Sequence, residues 1–267
     1  MPQTTNIAWT DSTWNPWSGC IKVSPGCDNC YASTLAENKR GTAAFPNGFD
    51  LTLRPHKYAD PLKWKEPRRI FVNSMSDFFL GTVPPEAVVA AWNTMLAADW
   101  HQFQILTKRP IPAKRIIKEL GLELPPHIWL GVSVENQEMA DLRIPTLLEI
   151  PAKVRFLSCE PLLGPIDLSL WLGEVNYCQT DLTTQESVSA FQSIIRAAKR
   201  HIGMPVIDWV IDGGESGPGR RPADTDWFRS IRDQCQAAGV AYFHKQGNAF
   251  KPGMDRELDG RTWEETP

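Results

Sequence analysis

Three cysteines, Cys20, Cys27 and Cys30, fall within one short stretch, SGCIKVSPGCDNCYA, spanning residues 18–32. Their spacing is Cys-x6-Cys-x2-Cys, and the Pro25-Gly26 turn can fold the longer spacer back toward the closer pair. The Cys27–Cys30 separation is a chelate spacing that suits zinc or an iron–sulfur cluster, and soft thiolates exclude calcium and magnesium. Three thiols satisfy a four-iron cluster that keeps one iron open for a substrate or cofactor. A structural zinc needs a fourth ligand, which His56, His244 or Cys159 could bring from elsewhere in the chain. Unmetallated core or redox thiols are the third reading. The amino terminus, MPQTTNIAWT, has neither a basic n-region nor an apolar h-region, so a cytoplasmic protein with reduced thiols is expected rather than a disulfide.

The elements that must position these thiols follow from the pattern of apolar runs. Candidate strands are residues 6–10, 69–73, 103–107, 128–134, 154–158, 208–212 and 240–244, with amphipathic stretches between them. PEAVVAAWNTMLAA opens a helix with Pro85, and TDWFRSIRDQCQAAG predicts one capped by Thr225 or Asp226 and stopped at Gly239. Strands alternating with helices imply a parallel α/β sheet. Each strand then stops in polar residues: Asn73-Ser74, Thr107-Lys108-Arg109, Ser133 to Glu135, Ser158-Cys159-Glu160, Asp212 to Glu215, and His244-Lys245-Gln246. A β/α barrel gathers all such tips on one face, whereas a doubly wound sheet gathers only those near its switch point. We therefore expect a full or partial parallel β/α (TIM-like) barrel with the cysteine loop after the first strand. The chain is read as one domain, residues 1–267, with insertions at about 41–68 and 173–205. The charged tail after Gly260 is expected to fray.

Several tip residues are candidates for chemistry. Glu160 and Glu215 can serve proton transfer or ribose binding, or else pair with Lys108, Arg109 or Lys245. Cys159 can return a hydrogen atom to a product, or pack as a buried hydrophobe. Gly213 and Gly214 can let backbone amides approach a phosphate or ribose. The connection from Arg54 to Arg69 alternates cations with Tyr58 and Trp64, a pattern that suits phosphates and stacked bases as well as a solvated loop. Cys178 and Cys235 read as structural, and His56, His101, His127 and His201 have no partner at ligand spacing.

GCIKVSPGCDNCYA resembles the motif of a family of phage and prophage proteins defined by three cysteines. RIFVNSMSDFF, FQILTKRP, IWLGVSVEN, VRFLSCEPLLGPIDL and DWVIDGGESGPGRRP are similar to that family's other blocks. Through its cysteine loop and barrel layout the family in turn resembles radical S-adenosylmethionine (SAM) enzymes. That resemblance implies a [4Fe-4S] cluster held by Cys20, Cys27 and Cys30, with SAM on the fourth iron and an electron donor to reduce it. The product would be a 5′-deoxyadenosyl radical, acting on a nucleic-acid base or nucleotide. Ser74, Ser76 and Asp77 occupy the loop where a contact to the SAM amine is expected, and Lys108 is a further cofactor contact. Tyr31 resembles the residue in the CYA ending of lesion-repair lyases in that superfamily. The commonest superfamily spacing has three residues between the first two cysteines, and Asn29 stands where an aromatic usually precedes the third. The Gly-Gly-Glu sequence here follows the sixth candidate strand rather than the second, so its usual role is not carried onto Glu215. The alternative is a zinc-binding protein that binds nucleic acid or serves as an accessory, without catalysis.

Composition permits either. Of 267 residues, 42% are hydrophobic and 22% charged, enough for a sizeable core. A net charge of −3 gives no global pull toward nucleic acid and leaves room for local basic patches. No apolar run of roughly 18 residues is available to span a membrane.

Overall fold

The computed structural model describes residues 5–172, 206–217, 219–251 and 253–267, so the expected insertion at 173–205, with Cys178 and His201, lies outside the described residues. The strands of the main sheet follow one another in the order of the chain, the arrangement of a partial parallel β/α (TIM-like) barrel. The backbone divides into two compact units, Met1–Val132 and Ser133–Pro267.

In the first unit the strands are β1 (Ser12–Trp14), β2 (Trp17–Ser18), β3 (Thr52–Leu53), β4 (Arg69–Val72), β5 (Gln102–Thr107) and β6 (Ile128–Ser133). The pairs β1–β4, β4–β5 and β5–β6 are parallel, while β2 and β3 form a short antiparallel ladder beside them. Consecutive residues of β4 to β6 are buried on both faces, as parallel strands under covering helices must be. The helices are α1 (Tyr31–Asn38), α2 (Pro85–Ala97) and α3 (Pro110–Glu119). α2 starts at Pro85 and buries Ala87, Val88, Ala91, Trp92 and Met95, an apolar stripe at three- and four-residue spacing.

Trp9, Trp14 and Trp17 are packing residues. Trp17 packs on Phe78 with ring centroids 5.0 Å apart, and Phe78 meets Trp92 of α2 at 5.7 Å. The base of the cysteine loop is thereby tied into the core, each such buried side chain contributing about 1.5–3 kcal/mol. The expected first strand at 6–10 is instead a turn, closed by the Thr10 amide donating to the Ile7 carbonyl. Its alternating pattern arises because Trp9 packs on the Phe71 ring at 4.7 Å, and pairing begins only at Ser12.

In the second unit β7 (Arg155–Cys159), β8 (Trp209–Gly213) and β9 (Ala241–Gln246) pair in parallel. Its helices are α4 (Gln137–Leu148), α5 (Ser169–Leu172) and α6 (Thr225–Ala238). The cap of α6 lies one residue before the expected pair: Asp224 accepts the amide of Asp226. Gly239 ends α6 in the left-handed conformation at φ 64°. The carboxyl-terminal tail does not fray. Strands β10 (Glu257–Leu258) and β11 (Arg261–Thr262) form a hairpin, and Trp263 and Glu265 then hydrogen-bond with the backbone of His244 and Tyr242. The Trp209 indole also donates to the Glu265 carbonyl at 2.8 Å. Among the described residues no helix is long and apolar enough to cross a membrane.

Candidate metal centre in the cysteine loop

The three thiols enter from one loop of the first unit. Gly19 precedes Cys20 at φ 95°, a conformation side chains rarely adopt, and a Cβ there would meet the backbone of Asp50. Its amide donates to the Met75 carbonyl at 3.0 Å and its carbonyl accepts the Ser76 hydroxyl, which pins Cys20 to the segment after β4. Cys27 closes a short 3-10 turn over Pro25–Cys27, formed where the sequence predicts the fold-back. Cys30 is the N-cap residue of α1, next to amide groups that favour an anionic neighbour. Tyr31 is exposed and donates its hydroxyl to the Ser74 carbonyl at 2.6 Å, holding the start of α1 against the same segment.

Asp77 is the hub of this construction. Its carboxylate accepts the Thr107 hydroxyl at 2.8 Å, the amides of Phe79 and Lys108 at 3.0 Å each, and the Arg109 guanidinium at 3.1 Å. Arg109 also lies 3.6 Å from the Cys20 sulfur and donates to the Ile21 carbonyl. Ser74 exchanges hydrogen bonds with Asn15, whose side chain also accepts the Met75 amide at 2.9 Å. Ser74, Ser76 and Asp77, expected near a SAM amine, therefore engage polar groups of the loop and the strand tips. Burial raises the pKa of the Cys20 thiol, Asp77 raises it further, and Arg109 opposes both. A metal that takes the thiolate relieves that cost.

Three thiolates are the soft donor type that an iron–sulfur cluster takes. The three thiols are half-buried and free of disulfides, and the Arg109 guanidinium lies beside Cys20, where it offsets anionic charge. Among the described residues no three or more His, Cys, Asp or Glu side chains gather to hold a metal ion.

The remaining predicted site residues lie in the second unit, each with a local partner. Glu160 pairs with Lys245 at 2.7 Å and accepts the Ser158 hydroxyl at 3.3 Å. Glu215 accepts the amide of Arg221 at 2.8 Å and pairs with its guanidinium. Gly213 leaves space that Glu160 fills: a Cβ there would stand 2.9 Å from its Oε1. The Gly214 amide donates to the Gln246 carbonyl at 3.0 Å, and a Cβ at Gly214 would stand 2.7 Å from the Gly247 carbonyl. Cys159 is fully buried, and burial raises its pKa well above that of a free thiol, with Asp212 and then Cys235 of α6 adding to the shift. That is the position of a packing thiol.

Sequence reasoning did not find the buried group beside it. Tyr242 donates to Asp212 at 2.7 Å, and His244 Nδ1 lies 2.7 Å from the other carboxylate oxygen. Tyr242 and His244 share a face of β9 at two-residue spacing, and Asp212 is the register partner of His244. Burial raises the pKa of Asp212 against the pull of His244. The signal was the pair Tyr242 and His244 in the AYFH run, which recur at strand period and face the α6 side, where Phe228 meets His244 at 5.1 Å.

A family model described as "Protein of unknown function (DUF5131)" matches residues 4–267. No curated protein matches the chain. A solved structure of spore photoproduct lyase complexed with dinucleoside spore photoproduct is similar at a TM-score of 0.47 and 11% identity, over 90% of this chain. The chain spans 64% of that protein's length.

Proposed function

The chain belongs to the DUF5131 family, and from its cysteine loop we propose an iron–sulfur enzyme of the radical SAM type acting on a nucleic-acid base or nucleotide. The observation that carries this reading is a set of three half-buried thiols, free of disulfides, on one loop, with Cys20 set beside the Asp77–Arg109 ion pair. Cys20, Cys27 and Cys30 would hold the irons of a [4Fe-4S] cluster with one corner open to SAM. When bound and reduced by an external electron donor, the cluster supplies cleavage of SAM to a 5′-deoxyadenosyl radical that removes hydrogen from a substrate.

The chain's own residues do the positioning. Arg109 offsets charge at Cys20, and the fully buried Trp17 and Phe78 rings anchor the base of the loop. Lys108, which makes no ion pair among the described residues, stands at the tip of β5 and suits the SAM carboxylate. Ser74 and Ser76 hold the loop's two ends, with Tyr31 fixing the start of α1. We assign Glu160, Glu215, Gly213 and Gly214 to joining the tips of the second unit's strands, and Cys159 to packing.

Anaerobic protein given SAM and dithionite should release 5′-deoxyadenosine, and a Cys27→Ala variant should release none. Methionine formed without 5′-deoxyadenosine, or equal release by the variant, would overturn the reading.

A further inference from the structure

The basic connection that precedes β4 walls a pocket of about 750 Å³ in the first unit, with the end of β1 as its other side. The volume is that of a small-molecule site. Lys57, Lys63, Lys65 and Arg68 line it against two carboxylates, Asp60 and Glu66, in a chain whose net charge is −3. Asp60 is already neutralised by Lys63 at 2.9 Å.

The cations sort by position. Arg54 and Arg69 lie on the same stretch outside the pocket, and both are engaged. Arg54 donates to the Ser18 hydroxyl at 3.0 Å and to the Ala44 carbonyl, and Arg69 pairs with Asp11 at 3.0 Å. Lys57, Lys65 and Arg68 line the pocket and make no ion pair with any described residue. The Arg68 Nε is buried with no hydrogen-bond partner. Burial, with Arg54 beside it, lowers the pKa of Lys57 against the opposing pull of Asp60, a net cost that an anionic ligand would reduce.

The pocket also has an aromatic wall. Trp64 lines it half-buried, set edge-on to the His101 ring at 6.0 Å, with its carbonyl accepting the Trp100 indole at 2.8 Å. His101 in turn lies 3.0 Å from the Pro61 carbonyl, so a fixed scaffold holds the ring in place. Tyr58, its expected partner in stacking, does not line the pocket. Asn15 lines it too, and its bond to Ser74 connects the pocket to the segment that holds Tyr31.

We infer that this pocket binds a nucleoside monophosphate unit, its phosphate held by Lys57, Lys65 and Arg68 and its base stacked on Trp64. Unpaired cations supply the phosphate contact, and a fixed indole supplies a stacking face that any base can use. This deepens the proposed function, on which it rests for the substrate class, by giving the substrate a place. The unit can belong to a free nucleotide or to a single strand.

The test is titration of anaerobically purified full-length protein, followed by calorimetry. The probes are the common deoxynucleoside 5′-monophosphates, the matching nucleosides, and a short mixed-sequence single strand. Monophosphates should bind roughly tenfold or more tightly than nucleosides, with affinity falling as salt rises. Arg68→Ala and Trp64→Ala should each weaken binding roughly tenfold, while Trp64→Phe and the distant Lys118→Ala retain it. A single strand that binds more tightly and with a steeper salt slope identifies nucleic acid as the source; equal affinity identifies the free nucleotide. Nucleosides binding as well as monophosphates, or full affinity in Arg68→Ala and Trp64→Ala, would overturn the inference. Iron and sulfide assayed in the same preparation separate the two claims. No binding by cluster-loaded protein defeats the pocket alone, and binding by protein that takes up neither iron nor sulfide defeats the cluster alone.

Discussion

Asp77 and Arg109 form an ion pair of 3.1 Å at 7% and 10% side-chain exposure, joining the segment after β4 to the tip of β5 and, through Arg109, to the cysteine loop. The carboxylate collects four donors, so its removal strands all of them in a nearly dry site. We expect Asp77→Ala to cost about 3 kcal/mol or more in urea unfolding, with Asp77→Asn, which keeps one acceptor oxygen, losing less. Iron retention should fall in the same order. Equal stability of both variants with wild type would show that the pair is incidental to the loop.

Gly19 tests the loop from its other end. Its φ of 95° and the Asp50 backbone facing it leave no place for a Cβ. Gly19→Ala should destabilise by roughly 1–3 kcal/mol and should speed thiol labelling of Cys20 in metal-free protein. A labelling rate unchanged from wild type would mean that the bridge from Gly19 to Ser76 does not control Cys20.

Glu160 separates catalysis from construction. Its pair with Lys245 is partly exposed, at 13% and 25%, so Glu160→Gln should lower stability by only about 1 kcal/mol. Release of 5′-deoxyadenosine should stay within about threefold of wild type, whereas loss of an acid–base group lowers rates by about a hundredfold or more. A loss of that size with unchanged stability would return Glu160 to the reaction.

Acid stability has a local source at Asp259. Hydrogen bonds from Arg229, then from Arg232, lower its pKa to about 2. A carboxyl lowered on folding contributes stability in full above the unfolded value near 3.9 and loses it as pH falls through about 2. Asp259→Asn should flatten the fall in unfolding free energy between about pH 4 and pH 2 without changing its pH dependence above 5. An identical acid limb in the variant would show that the two arginines do not act on it.

Much of the frame was legible because it rests on local pattern. The apolar runs at 69–73, 103–107, 128–134, 154–158, 208–212 and 240–244 each overlap a strand, with ends displaced by a residue or two. Residues 6–10 misled because Trp9 supplies the apolar beat of a strand while packing on Phe71, a partner far along the chain. The tail misled for the same reason: a charged run looks solvated until Trp263 and Glu265 find the backbone of β9. At the site, spacing marked the three cysteines and the basic connection, both properties of neighbouring residues. Gly213 looked like room for a ligand, since nothing local reveals that the Glu160 side chain fills it. The Asp212–His244–Tyr242 group is set by register between β8 and β9, which no single run of residues carries.

The proposed cluster on Cys20, Cys27 and Cys30 is tested most directly by measuring iron, acid-labile sulfide and zinc in protein purified and reconstituted without oxygen. We expect about four irons and four sulfides per chain with broad visible absorption, both lost in Cys20→Ala, Cys27→Ala or Cys30→Ala and neither in Cys235→Ala. A colourless protein holding about one zinc per chain and no sulfide would contradict it.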